Sequence, residues 1–133
     1  MAISTDQLKR VPLFAGLQDK DLKSIAGSMH ERTFNAGDSP TVEGKSGIGF
    51  FVIESGEATV DIGGREVRKL GAGDHFGEIA LIGKAPRSAT ITADSELKCW
   101  GLTAWEFKPL VEKSPEIAWH LLETLAERLS EQG

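Results

Sequence analysis

The sequence predicts an α+β fold in which the helices gather at the two ends and the middle is entirely β. Three observations carry this. Apolar residues recur every three or four positions before residue 30 and again after Leu102, the spacing of helices that bury one face. Between them the period falls to two, and Gly, Asn, Asp and Pro punctuate the chain at intervals of roughly 8 to 12 residues, as in a sandwich or barrel. The order helix, β, helix contains no linker, repeat or low-complexity segment, so the helices are segregated rather than alternated with strands.

Residues 4 to 29 read as helical, with Ser4 or Thr5 able to cap a first turn. Pro12 and Gly16 break this stretch into a short helix, a turn around Leu13 to Leu17, and a second helix. In that second helix Leu22, Ile25, Ala26 and Met29 share a face and Gly27 weakens the run. The candidate strands are Arg32 to Asn35, Gly49 to Ser55, Glu57 to Ile62, Glu66 to Leu70, Ala89 to Ala93 and Leu97 to Leu102. Gly63-Gly64 between two alternating runs predicts a two-residue hairpin, because both glycines tolerate the positive φ of a type I′ turn. Ser55-Gly56 marks another turn. After Leu102, Thr103 is placed to cap a helix carrying Phe107, Leu110 and Val111 on one face. Pro115 then opens a last helix to about Glu131, with Ile117, Leu121, Leu122, Leu125 and Leu129 as its apolar stripe.

At 133 residues the chain has room for one domain with a real core and not for two. Its formal charge of −5 leaves no excess of cations to neutralise a phosphate backbone, which argues against direct nucleic-acid binding. No stretch approaches the length of an apolar membrane span and the start carries no secretory signal, so the expected location is cytoplasmic. Cys99 is the single cysteine, which excludes an internal disulfide; in the apolar run Leu97 to Leu102 it is expected to be a reduced, half-buried packing residue. Trp100, Trp105 and Trp119 are expected to be packing residues as well. His30, His75 and His120 lack a metal-ligand spacing, and no nucleophile with an oriented base is found, so neither a metal, a cofactor nor catalysis is expected.

The informative segment is Gly73 to Thr90, which neither continues a strand nor forms a long helix. A short helix beginning near Gly77 would offer free N–H groups to an anion or a hydroxyl. Glu78 adds a hydrogen-bond acceptor at that turn. Arg87, behind Pro86, supplies a planar fork suited to phosphate, with the Ser88 hydroxyl and the following backbone N–H beside it. One carboxylate for a sugar hydroxyl and one guanidinium for a phosphodiester is what a compact nucleotide with one negative charge requires.

Phe76-Gly-Glu-Ile-Ala-Leu followed by Pro86-Arg-Ser-Ala-Thr resembles the phosphate-binding cassette of the cyclic nucleotide-binding domain family. Leu13-Phe-Ala-Gly-Leu resembles that family's opening helical turn. Phe50-Phe-Val-Ile-Glu-Ser-Gly-Glu-Ala resembles its central hairpin, and Ser114-Pro-Glu-Ile-Ala the start of its closing helix. The resemblance covers roughly residues 8 to 130. It implies an antiparallel β-roll of the double-stranded β-helix, jelly-roll kind, flanked by N-terminal and C-terminal helices, with the whole of 1–133 as a single domain. Residues 1–30 would be N-terminal helices, 31–102 the roll with its cassette at 76–90, and 103–131 a lid of C-terminal helices.

By the same resemblance, the Gly77 backbone and Glu78 would bind the ribose 2′-hydroxyl, Arg87 the cyclic phosphate, and Ser88 with the Ala89 N–H would complete the phosphate cradle. Arg128 sits where some bacterial ion-channel members place an arginine over the purine. The ligand would be cAMP or cGMP, and Arg-Ser in the cassette places cAMP first. Ligand binding would close the C-terminal helices and signal to an effector protein, or to a second copy through the last helix. The chain stops at Gly133, which leaves no room for a helix-turn-helix or catalytic domain, and its Met1 start favours a C-terminal over an N-terminal truncation. The competing readings are a β-roll interaction module whose pocket has drifted or been lost, and a small cupin-like metalloenzyme. Residue by residue, Arg87 has the alternative of a surface ion pair, Glu78 of a helix-dipole carboxylate, Gly77 of a plain turn, Ser88 of a strand-start hydroxyl, and Arg128 of a partner for Glu123 or Glu127.

Overall fold

The computed structural model describes residues 3–44, 49–83 and 87–132; the side chains of Glu78, Ile79 and Gln132 lie outside that description, as does Pro86. The chain forms two compact units, Met1–Met29 with Trp105–Gly133, and His30–Ala104.

In the helical unit, α1 (Thr5–Lys9) starts at a capping box: the Ser4 hydroxyl accepts from the Gln7 N–H while the Gln7 side chain accepts from the Ser4 N–H. Helix α2 spans Asp19–Ser28, α3 Ala104–Lys113 and α4 Pro115–Gln132. Leu8, Leu13, Phe14, Leu22, Ile25, Phe107 and Ile117 are all buried. The Phe14 and Phe107 rings lie 6.2 Å apart, and the buried Asp21 carboxylate accepts from the Ser114 hydroxyl at 2.8 Å, tying α2 to the start of α4. Two expectations are corrected here. Trp105 and Trp119 are exposed rather than packed, and Leu122 and Leu129 of the predicted stripe are exposed too. The stripe spans more of the α4 surface than the buried face at Ile117 and Leu121 takes up.

The second unit is an antiparallel β-roll. Its strands are β1 (His30–Phe34), β2 (Gly49–Ser55), β3 (Ala58–Ile62), β4 (Arg65–Leu70), β5 (His75–Phe76), β6 (Thr90–Ala93) and β7 (Leu97–Thr103). They form a sheet ordered β1-β7-β2-β5 and a second ordered β4-β3-β6. Period-two alternation turns Phe51, Ile53, Ala58, Val60, Ile91, Ala93, Leu97 and Cys99 into one interior cluster. Burial in it pushes the Cys99 thiol up to about 12.

The Gly63-Gly64 hairpin forms as expected, both glycines having positive φ (61° and 80°) between β3 and β4. Ser55-Gly56 is different. Strand β2 pairs with β5 and β7 while β3 pairs with β4 and β6, so this turn carries the chain from one sheet to the other and the two flanking strands are not a hairpin. Strand β5 has only two residues, too short for a periodic signal to register.

Residues 37–44, after β1, run along the outer edge of β6. Gly37 N–H donates to the Ala93 carbonyl at 2.7 Å, Ile91 N–H to the Thr41 carbonyl at 2.8 Å, and Gly44 N–H to the Arg87 carbonyl at 2.8 Å. The edge of the three-stranded sheet is thereby covered. On that sheet Thr41 bridges Ile91, Ile91 lies opposite Val60, and Val60 lies opposite Arg68.

Candidate functional site

Strand β5 delivers the chain to Gly77, whose φ of +84° turns it sharply out of the sheet and into a single 3-10 turn, Glu78–Leu81. The short helix expected near Gly77 is therefore one tight turn. Gly77 is required for a second reason: a Cβ there would lie 2.5 Å from both Arg87 Nη1 and the Gly49 carbonyl oxygen. The Arg87 guanidinium thus packs directly against the Gly77 backbone. Its Nη2 donates to the Gly49 carbonyl at 2.5 Å, and its own carbonyl accepts from Gly44. Gly44 and Gly49 on one side and Gly77 on the other thereby clamp Arg87 into one corner through three backbone groups.

This corner opens into a cavity of about 240 Å³ lined by both ends of the cassette, Phe76 and Gly77 on one side and Arg87, Ser88 and Ala89 on the other. The rest of the lining comes from Thr41, Val60, Arg68, His75 and Ile91. Val60, Phe76 and Ile91 give it an apolar wall, and two arginines face it with no carboxylate among the described lining residues. A small, mostly apolar concavity with a few fixed polar groups and a positive end suits a ligand that joins a flat ring to an anion.

Gly77, Arg87, Ser88 and Ala89, singled out in the sequence, are thus brought together. The Glu78 side chain lies outside the described residues. Arg128 belongs to the helical unit, where it lines a groove with Arg10, His120, Glu123, Glu127 and Glu131. Gly49, Thr41 and Arg68 were not singled out. Gly49 acts through its carbonyl, which no side-chain pattern reveals. Thr41 enters through an isolated bridge to Ile91 and Arg68 through its register with Val60, and the bulge between Val60 and Asp61 hides the latter from a count along the chain. Among the described residues no cluster of three or more His, Cys, Asp or Glu side chains could hold a metal ion. No helix among them is long and apolar enough to cross a membrane.

A roll with this corner and cavity defines a small-ligand binding domain, and comparison with known proteins specifies which. The family model of the cyclic nucleotide-binding domain matches residues 31–114, and the chain belongs to that family. It is similar to a cGMP-dependent protein kinase of Toxoplasma gondii, 41% identical over 92 residues, which is 69% of this chain and 9% of the kinase. It is also similar to a cAMP-dependent protein kinase regulatory subunit of Eremothecium gossypii, 37% identical over 113 residues, 84% of this chain and 25% of that protein. The chain therefore spans a quarter or less of the length of these relatives. Among solved structures, the N-terminal domain of a transcriptional regulator from Streptomyces coelicolor A3(2) superposes with a TM-score of 0.84 at 34% identity, covering 96% of this chain and 92% of that one. The chain is accordingly a cyclic nucleotide-binding regulatory domain, of a family that is typically non-catalytic.

Proposed function

We propose that residues 1–133 work as one sensor of a purine cyclic nucleotide, cAMP ahead of cGMP, and that the captured ligand draws the C-terminal helices, 103–131, into a closed state. Arg87 holds the cyclic phosphate with the Ser88 hydroxyl and the Ala89 N–H. The Gly77 N–H and the Glu78 carboxylate hold the ribose 2′-hydroxyl, and Arg128 covers the purine. The observation that supports this reading is the clamped corner: a guanidinium fixed against a glycine backbone at the positive end of a cavity the size of a small ligand. The Gly49 carbonyl accepts from Arg87 Nη2; a phosphate oxygen would offer the same fork a charged acceptor and a stronger bond. The cAMP preference follows from Arg-Ser in the cassette, and the cAMP-dependent regulatory subunit among the relatives supports it.

The sensor has a cytoplasmic site of action and needs no metal or cofactor. It passes its signal to an effector protein or to a second copy through α4. Closure is driven only by the difference in ligand affinity between open and closed states, so helix contacts to the ligand set its extent.

Calorimetric titration of cAMP and cGMP into the wild-type chain and Arg87→Ala tests the binding. One-to-one binding that weakens about a hundredfold or more in the variant is expected, the usual scale for removing one partner of a desolvated charge pair. No binding of either nucleotide to a folded, ligand-stripped sample would overturn the reading in favour of an interaction module.

A further inference from the structure

We propose that a groove in the helical unit, separate from the nucleotide cavity, is the docking site for an arginine side chain of a protein partner. The groove lies between the turn ahead of α2 and the first turns of α4, has a volume of about 530 Å³, and shares no lining residue with the cavity of the roll.

Charge selects the ligand. The described lining carries three carboxylates, Asp21, Glu116 and Glu123, and neither lysine nor arginine. Glu116 and Glu123 are exposed, so water and salt screen their pull on a cation. Asp21 is different. It is 3% exposed; its Oδ1 accepts from the Ser114 hydroxyl at 2.8 Å, while Oδ2 is buried with no hydrogen-bond partner. Lys20 and Lys113 line a smaller cavity of about 180 Å³ that Asp21 also borders, yet neither supplies that partner. A carboxylate oxygen left in that state costs the fold free energy, and a charged N–H donor brought in from outside offsets the cost. On the same groove His120 Nε2 is a second buried polar atom without a partner. Its ring is held against Gly16, where a Cβ would lie 2.6 Å from His120 Cε1. With its proton on Nδ1, this ring also accepts from an N–H.

Shape selects arginine. Trp119 lines the groove and is 66% exposed, which leaves an indole face on which a guanidinium stacks. A guanidinium carries five N–H donors in one plane, so it lies on the indole and still reaches acceptors at its rim; an ammonium presents three from a single point. Leu17 and Pro115 add apolar surface for the residues that flank the arginine in a chain. Tryptophan and arginine are also the residues in which interface binding energy concentrates.

The test is an NMR titration of the isotope-labelled chain, without nucleotide, that follows the Trp119 indole N–H and the Gly16 amide. Acetyl-arginine amide is expected to saturate with a dissociation constant of about 1 mM, the scale a ligand of that size reaches. Acetyl-citrulline amide, its uncharged isostere, is expected to show no saturation up to about 10 mM. Acetyl-lysine amide should bind about threefold more weakly than arginine, and acetyl-Leu-Arg-Leu amide about fivefold more tightly. Asp21→Asn keeps an oxygen for Ser114 and removes the charge, and is expected to lose about tenfold in arginine affinity. Trp119→Leu, at an exposed position, should lose about threefold on the Gly16 signal with its melting temperature unchanged, and it decides the matter if Asp21→Asn does not fold. Citrulline binding as well as arginine, or an arginine affinity unchanged in either folded variant, overturns the proposal. Lysine binding as tightly overturns the choice of arginine, and a tripeptide no tighter than the single residue makes the ligand a free guanidinium compound instead of a protein. The same shifts on concentrating the chain alone would make a second copy the occupant, which also overturns it. A failure here leaves the calorimetry of the nucleotide site untouched, and the reverse.

Discussion

The cavity wall of the roll and the outer face of α4 are both rich in apolar residues, yet they are used in opposite ways. On the wall Val60, Phe76 and Ile91 are each buried within their own unit, and the polar Thr41 and Arg68 stand at the ends of the cross-strand row. On α4, Ile117 and Leu121 are buried while Trp119, Leu122 and Leu129 are 66%, 58% and 68% exposed. The difference lies in what each periodicity specifies. Period two in a paired sheet fixes both the face and the opposing residue, because register leaves no freedom. A helical stripe fixes only a face, and its width can exceed the surface that covers it.

The sharpest way to break this contrast is inside the roll, where two glycines with nearly equal φ have different surroundings. Gly64 has a φ of +80° and open space around its Cβ position; Gly77 has +84° and the Arg87 guanidinium there. Gly64→Ala is expected to cost about 1 kcal/mol, the backbone term alone, and to leave nucleotide affinity unchanged. Gly77→Ala carries that backbone strain and also displaces Arg87 from the Gly49 carbonyl, so affinity should fall about a hundredfold. Melts and titrations of the two variants in parallel check this. Equal affinity losses would mean that the corner is not held by contact.

A smaller effect sharpens the helical side. Leu121→Ala removes a buried side chain and is expected to cost about 2 to 4 kcal/mol in chemical unfolding. Leu122→Ala, one position on, should stay within about 0.5 kcal/mol. Equal costs would show that the outer face of α4 is covered in solution.

The same contrast explains how much was legible in the sequence. Helices at both ends, the β middle and the Gly63-Gly64 turn were readable because each rests on a local signal. Gly77, Arg87, Ser88 and Ala89 were readable as a pattern, and for Gly77 the packing supplies a reason: a Cβ at this left-handed position would meet the Arg87 guanidinium. Strand β5 was not, since two residues carry no period. The sheet change at Ser55-Gly56 was missed because a turn signal says nothing about which strands pair afterwards. Trp105 and Trp119 were misplaced for the reason α4 illustrates: a large apolar side chain on a helix need not lie on the face that becomes buried.

Cys99 offers the finest probe of the roll's interior. Burial pushes its thiol from 9.0 up to about 12, with Arg32 opposing the shift. Between those values the folded chain keeps a proton that the unfolded chain releases, so raising the pH there favours unfolding; below the lower value the residue adds no slope. Cys99→Ala loses packing by an amount that does not vary with pH. The stability advantage of wild type over Cys99→Ala should therefore be constant up to about pH 8.5 and shrink from there upward, by about 1.4 kcal/mol for each pH unit once the unfolded thiol is fully ionised. Chemical denaturation at a series of pH values measures it. An advantage that persists unchanged to pH 10 would mean that the thiol ionises as readily folded as unfolded, and that water reaches the interior at a position which register and burial make dry.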